Sequence, residues 1–522
     1  MASAQLHVLL QTAPYNHDPL ALFAALSQTG DNSMLLESAE IGTKAGTQSL
    51  LMLDACVRLV CQGRSVTLTA LNTNGLPALH LVEQALGGER SQQAATSLQQ
   101  LTVSFAPADD TLDEDSRLKA PSVLETLRLI LTRFHADLGQ QHVFMAGTFA
   151  YDLIASFEQL TAVPEGINAC PDFCFYLAET LITLDHKQES AQLWACVFAP
   201  AEQPRLQTRL DALALACGEQ HPQPAADTQL HGKIHASKSD AEFKADVENL
   251  KEHIKVGDIF QVVPSRSFSL PCPRPLAAYR KLKQTNPSPY LFFVNDQDFT
   301  LFGASPESSV KFDHASRTVE MYPIAGTRKR GINKDGSINL DLDGRIELDL
   351  RQDAKETAEH LMLVDLARND IARISEPGSR YVKDLLSVDR YSHVMHLVSR
   401  VVGTLRHDLD ALHGYQACMN MGTLTGAPKI RASALIRDVE KERRGSYGGA
   451  VGYVNGNGDM DTCIVIRSAF VADGVAHVQA GAGVVYDSNP QAEADETRNK
   501  AAAVLNAIAL AHGSTLAEVS HD

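Results

Sequence analysis

The chain has 522 residues, 44% of them hydrophobic and 21% charged, and a formal net charge of −17. Domains cluster near ~150 residues, so this length predicts a globular protein of roughly two to four domains with a sizeable core. The acidic balance, with "RKR" at 328–330 as the only short basic cluster, excludes a general nucleic-acid binder; a small anionic substrate would need Arg, Lys, helix amino ends or a metal ion to reverse the field locally.

In chain order, "MASAQLHVLL" lacks the basic lead and long apolar core of a signal peptide, and no apolar run reaches the ~18 residues of a membrane span. A cytoplasmic protein with no membrane partner is expected. Nine cysteines lie in mostly apolar surroundings without a CxxC pair, which predicts reduced, buried thiols. "SVTLTAL" and "HVFMAGTFAYDL" read as strands and "SVLETLRLILTRFHADL" as a helix. Between Ala201 and Asp240 the chain turns polar, with "QHPQPAADTQ" its least structured part, so a boundary is set at 230, dividing a unit 1–230 from a unit 231–522.

The second unit opens a succession of strand groups and long helices. "YLFFV" and "FTLFGAS" flank "NDQD", and "SSVKF" pairs with "TVEMYPI" across "DHAS". "GGAVGYV", "TCIVIRSAFV" and "VAHVQAGAGVVY", separated by "NGNGD" and "DG", predict an antiparallel meander. The expected fold is therefore α+β, with helices packed on large antiparallel sheets.

Two helices carry an unusual density of carboxylates. In "ADETRNKA", Glu496 and Lys500 form an i,i+4 pair and share with Glu493 a sector of about 60°. Taken alone, that is an ordinary solvated face. The helix follows the Gly-rich strand "QAGAGVV", however, where Gly481 and Gly483 leave room for a ligand against the backbone. The helix "DAKETAEHLMLVDLARNDIARI" presents Glu356 and Glu359; Asp353 and Glu356 read as a capping box, whereas Glu359 has no such explanation. One carboxylate from each helix, completed by water and substrate oxygens, suits Mg²⁺, and Glu359 with Glu496 is the candidate pair.

"IFQVVPSRSFSLPCP", "FGASPESS", "YPIAGTRKRG", "EHLMLVDLARND", "VMHLVSRVVG", "MGTLTGAPK", "RRGSYGGAVGY", "DTCIVIRSA", "AGAGVVYDS" and "EADETRNKA" together resemble the large, chorismate-binding component of anthranilate synthase. The similarity is densest from Lys255 to Ala503. It implies two orthogonal antiparallel sheets flanked by helices, and conversion of chorismate and ammonia to anthranilate and pyruvate with Mg²⁺. It also implies roles for individual residues. Glu307 is the acid for the departing ring hydroxyl, His396 serves the aromatising elimination, and Thr423 is a nearby polar contact. Tyr447 and Arg467 would bind one substrate carboxylate, with backbone amides from Gly326, Thr327 and Gly481, Ala482 and Gly483, while Lys500 offsets anionic charge and Glu493 supports the metal site.

Gln261 stands where isochorismate and salicylate synthases resemble one another in carrying a water-activating lysine, and Ala325 where aminodeoxychorismate synthases usually carry a lysine. Both favour the anthranilate reaction over those alternatives; a non-catalytic amino-acid sensor is the reading from another class. No G-x-C-x-G elbow surrounds any cysteine, so ammonia is expected from a separate glutamine amidotransferase subunit in a two-plus-two heterotetramer. The resemblance further implies feedback inhibition by L-tryptophan, at a site contributed by the first unit. "LLESAE" and "NPSPYLFF" would form it, with Glu37 or backbone carbonyls receiving the ammonium group, Ser38, Pro289, Tyr290 and Leu291 enclosing the ligand, and Tyr453 and Cys463 nearby.

Overall fold

The computed structural model describes the chain apart from residues 1–3, 28–30, 39–47, 93–97, 108, 110, 226–231, 334, 392–393 and 520–522. Among the described residues, 23 strands join in one hydrogen-bonded sheet system, and a separate pair links Gln261–Val262 to Gly426–Ala427. Every pairing is antiparallel except Ala4–Ala13 with Phe134–Ala136. That exception shortens a predicted helix. The apolar pattern over 122–138 becomes a helix only at Glu125–Arg133, because the next three residues pair with the amino-terminal strand instead.

The sheet is continuous across residue 230. Ser33–Glu37 lies between Gln48–Gln62 and Tyr290–Asn295, and Phe144–Phe149 lies between Phe173–Asp185 and Ala450–Asn455. Strands from the two halves of the chain therefore share ladders at two places. The helix Gln203–Cys217 occupies the start of the polar connection, and part of "QHPQPAADTQ" falls outside the described residues.

The hairpins Tyr290–Asn295 with Thr300–Ser305 and Ser308–Asp313 with Thr318–Met321 form as predicted. The expected meander does not run unbroken. "TCIVIRSAFV" divides into Met460–Ile464, paired with Ala450–Asn455 and Ser308–Asp313, and Ser468–Ala472, paired with Thr300–Ser305 and Val475–Gly481. The break falls at Arg467, whose φ of 49° is left-handed, a conformation that costs a non-glycine residue and turns the chain out of the pleat. The two long helices pack their apolar faces on this framework. Ala354–Ile374 buries Leu363, Val364, Ile371 and Ile374, and Pro490–Ala511 buries Ala501, Val504, Leu505 and Ile508, spacings that follow the helical period. All nine cysteines are buried free thiols, as their apolar surroundings predicted. No helix is long and apolar enough to cross a membrane, among the described residues.

Candidate active site

The site forms where broken strands meet the amino ends of the two long helices. Each helix start is capped: Asp353 accepts from the amides of Lys355 and Glu356, and Asn489 accepts from those of Gln491 and Ala492, with Pro490 at the first helical position. The reciprocal half of the predicted capping box is absent. Glu356 turns instead to Arg328, whose Nη1 donates to it at 2.9 Å while Nη2 donates to Asp353 at 2.7 Å. A guanidinium offers a charged partner, which outcompetes a single backbone amide.

One turn later, Glu359 points inward. Its Oε1 accepts from Gln261 Nε2 at 2.8 Å, and its pKa is pushed up to about 6 by burial, with the charges of Glu356 and Glu496 adding to the effect. Glu496 pairs with Lys500 at 2.6 Å, and Lys500 Nζ also donates to the carbonyl of Gly481 at 3.1 Å. Glu493 is buried and its pKa raised, chiefly by burial. Gly483 closes this corner: a Cβ there would lie 2.8 Å from Gln261 Nε2 and 3.3 Å from Glu359 Oε1. A buried carboxylate held by a neutral amide beside other carboxylates is short of positive charge, so this corner fits a cation. No group of three or more His, Cys, Asp or Glu is arranged for a metal among the described residues. Two carboxylates with water and substrate oxygens suit a magnesium ion, which seldom takes an all-protein cage.

Across the site, Glu307 follows the strand Thr300–Ser305 and is only 7% exposed. Thr423 Oγ1 donates to its Oε1 at 2.8 Å, and burial pushes its pKa up to about 8 against the opposing pull of Lys500 and Arg467. Glu307 is thus predominantly a neutral acid at pH 7. His396 lies opposite Thr327 in the Ile324–Lys329 and Val394–Thr404 pair, and its Nδ1 is 2.8 Å from Thr327 Oγ1. An unperturbed imidazole titrates near neutrality. Burial, aided by the Arg467 charge, pushes it down to about 4 instead, so it is a neutral base across the physiological range. Gly326, with φ of 80°, occupies the irregularity between Ala325 and Thr327 that offsets this ladder.

Arg467 has no ion pair among the described residues; burial lowers its pKa, and Tyr447, Glu496 and Glu307 counter that effect. A guanidinium in this state is ready for a carboxylate from outside. Tyr447 is buried beside Gly481, where a Cβ would come within 3.0 Å of its hydroxyl. The Ala482 amide donates to the Pro264 carbonyl at 3.1 Å. It is therefore engaged in the sheet edge and does not join the ligand amides expected from Gly481 to Gly483.

Two residues carry more of the site than their local sequence signalled. Gln261 is 2% exposed and places its Oε1 without a hydrogen-bond partner among the described residues. Arg444 is 2% exposed, bonds Glu440 and the carbonyls of Leu424 and Val263, and lies 5.6 Å over the Tyr447 ring. It ties the Thr423 turn, the Val263 segment and Tyr447 together. One arginine in "EKERRGSYGG" has no periodicity to distinguish it from its neighbour Arg443.

The residues expected around tryptophan are divided by a strand. Glu37 opposes Leu291, so both face the helix Pro275–Thr285, where Tyr279 OH donates to Glu37 at 2.7 Å and Lys283 pairs with it. That carboxylate is engaged on the helix side, which favours the backbone carbonyls of the two expected receivers for the ammonium group. Tyr290 lies on the other face, its hydroxyl 3.1 Å from Asp461, with Cys463 and Tyr453 on adjoining strands. Ser38 follows on that side of Glu37, and Pro289 precedes Tyr290.

An α+β framework that confronts a guanidinium with a carboxylate corner, and sets a neutral acid near the guanidinium, suits a small dicarboxylate. The family model described as chorismate binding enzyme matches residues 88–506. Anthranilate synthase component 1 of Vibrio cholerae is 57% identical over 98% of this chain and 98% of its own. The Escherichia coli protein of that name is 55% identical over 97% and 98%. The crystal structure of anthranilate synthase component I from Streptococcus pneumoniae superposes with a TM-score of 0.70 at 31% identity, covering 90% of this chain and 94% of that one. The chain belongs to the anthranilate synthase component 1 family of chorismate-binding enzymes.

Proposed function

We propose that the chain aminates chorismate at C2 with ammonia and eliminates pyruvate to give anthranilate. The observation that carries this is the pairing of opposite electrostatic environments: Glu307 neutral and acidic at one end, Arg467 cationic and unpaired beside it, Glu359 and Glu496 anionic at the other. Arg467 and Tyr447 receive one substrate carboxylate, and Glu359 and Glu496 would hold Mg²⁺ for the other. A magnesium ion bound there supplies charge for that carboxylate and for the departing enolpyruvyl oxygen. Glu307 gives its proton to the C4 hydroxyl, which otherwise leaves poorly. His396, held neutral and oriented by Thr327, removes the C2 proton in the elimination. Gln261, bound to Glu359, has no basic nitrogen with which to activate water, which supports amination over isochorismate formation.

With chorismate, Mg²⁺ and ammonium salts at alkaline pH, the isolated chain is expected to produce anthranilate fluorescence, and to produce none from glutamine. Adding a glutamine amidotransferase subunit is expected to restore glutamine use, and the proposed two-plus-two assembly is read from the mass of the complex. Fluorescence from glutamine with rigorously purified chain alone would reveal a second active site and overturn the two-subunit reading; none from ammonium salts would overturn the activity itself.

The same reading includes inhibition by L-tryptophan. Backbone carbonyls near Ser38, rather than Glu37, receive its ammonium group, and Tyr290, Tyr453 and Cys463 wall the indole. Because the strand Ser33–Glu37 bonds to Tyr290–Asn295, a ligand there bears on both halves of the sheet, and linkage requires chorismate to weaken tryptophan binding as much as tryptophan weakens chorismate binding. Ser38→Phe should fill the space without touching the catalytic groups. Retained activity with inhibition lost is expected in tryptophan titrations, and a variant inhibited at wild-type concentrations would remove Ser38 from the site.

A further inference from the structure

Glu307 and Thr423 line a second, smaller space that the substrate-binding groups do not. It measures about 20 Å³, enough for one water molecule, and its wall includes Gly422, Leu363, Leu366 and Asp370. Leu366 and Asp370 also stand in the wall of a larger cavity of about 320 Å³. The larger cavity reaches the surface at Glu114, Pro121 and Ile430, all exposed, and its inner wall carries Lys429 and Arg373. Asp370 is 5% exposed and ion-paired to Lys429 at 2.5 Å, and Lys429 also donates to the Cys418 carbonyl at 2.7 Å. Leu366 is half-buried and presses on the backbone of Gly422, where a Cβ would come within 2.4 Å of its Cδ2. None of Gln261, Glu359, Glu496 and Arg467 lines either space.

The amination creates a water molecule at this end of the site. As nitrogen bonds to C2, the ring electrons shift, the C4–O bond breaks with its electron pair on oxygen, and the Glu307 proton completes the water. Glu307 is left as a carboxylate and must regain a proton from solvent, matching the one lost by the new ammonium nitrogen. The space lined by Glu307 and Thr423 shares no wall with Arg467, Glu359 or Glu496, so a substrate anchored on those groups leaves it open to the water and to the returning proton.

We propose that the space behind Glu307 and Thr423 is the exit for this water and the return path for the proton, with Leu366 as its gate and the Asp370–Lys429 pair as its polar lining. This rests on the amination reading above. Leu366 lines the space with a purely apolar side chain that can give or take no proton, and acts only by leaving the path open.

Leu366→Trp tests it. In saturating ammonium, the variant should keep its KM for chorismate and lose about tenfold in kcat, because release of the product water becomes limiting. Reconstituted with the amidotransferase subunit and supplied with glutamine, it should lose the same factor, and Leu366→Ala should turn over at the wild-type rate in both assays. If the tryptophan variant does not fold, as judged by its melting curve, Leu366→Phe carries the same expectation with a smaller loss. A defect confined to the glutamine assay would make the path an ammonia entrance and overturn the proposal. So would a folded Leu366→Trp enzyme with wild-type kcat. Wild-type chain that makes no anthranilate in the parallel control would instead strike at the amination reading.

Discussion

Glu307→Gln is expected to lower kcat at neutral pH by about 10² to 10⁴, the usual range for loss of a positioned general acid, with little change in the fold. Protonated glutamate and glutamine are both neutral, and an amide oxygen can accept the Thr423 hydrogen bond in place of Oε1. In the wild-type enzyme the acid form persists up to about pH 8, so the rate per free ammonia should fall as pH rises through that value even while free ammonia itself increases. The stability counterpart has a defined sign. The folded pKa lies above the ordinary 4.5, so the native state holds a proton that the unfolded chain has released, and the contribution of Glu307 to stability declines between pH 4.5 and about 8. The Gln variant has no such decline from this position, so its melting temperature should gain on wild type across that window. A variant with wild-type kcat at pH 7 would exclude Glu307 as the acid.

The second large effect is at the metal corner. Glu359→Gln and Glu496→Gln should each reduce turnover on the order of 10²-fold or more, since a ligated cation contributes several kcal/mol to charge development and each ~1.4 kcal/mol is a factor of ten. Folding should be unimpaired. Glu359 is already raised to about 6 by burial and neighbouring carboxylates, and a glutamine oxygen can keep the Gln261 contact. Titrating Mg²⁺ against anthranilate fluorescence and against heat of binding separates loss of the ion from loss of chemistry. Near-wild-type turnover at low Mg²⁺ in both variants would remove the two residues from the site. Glu496 pairs with Lys500, which also donates to the Gly481 carbonyl, so cation binding at Glu496 should turn Lys500 toward the substrate.

The hairpins of the second half were readable because each depends on local signals: alternating apolar residues and a short turn such as "NDQD" between Tyr290–Asn295 and Thr300–Ser305. The break at Arg467 was not. "TCIVIRSAFV" is uniformly strand-like, and only competition between two sets of ladders, one on each side of residue 466, makes the left-handed turn worth its strain. Arg467 itself was found through the family's motif, whereas nothing local marked Arg444 as the brace beside Tyr447. The pairing of Glu37 with Lys283 escaped sequence reading for the same reason. The partners are 246 positions apart, and only the register of Ser33–Glu37 against Tyr290–Asn295 aims that carboxylate at the helix.

Sequence alone determined the α+β class, the antiparallel hairpins, the buried thiols and the family, because periodicity, turn chemistry and ordered motifs are properties of short segments. Tertiary structure decided which of the site's groups are charged and which are free. Glu307 is neutral, His396 is unprotonated and Glu359 is raised to about 6 because burial, and neighbours that the fold brings close, set the cost of charge. Ala482 and Glu37 are spent on structural bonds for a related reason: a strand's register assigns each amide and each side chain a direction, and register is settled only when distant strands meet.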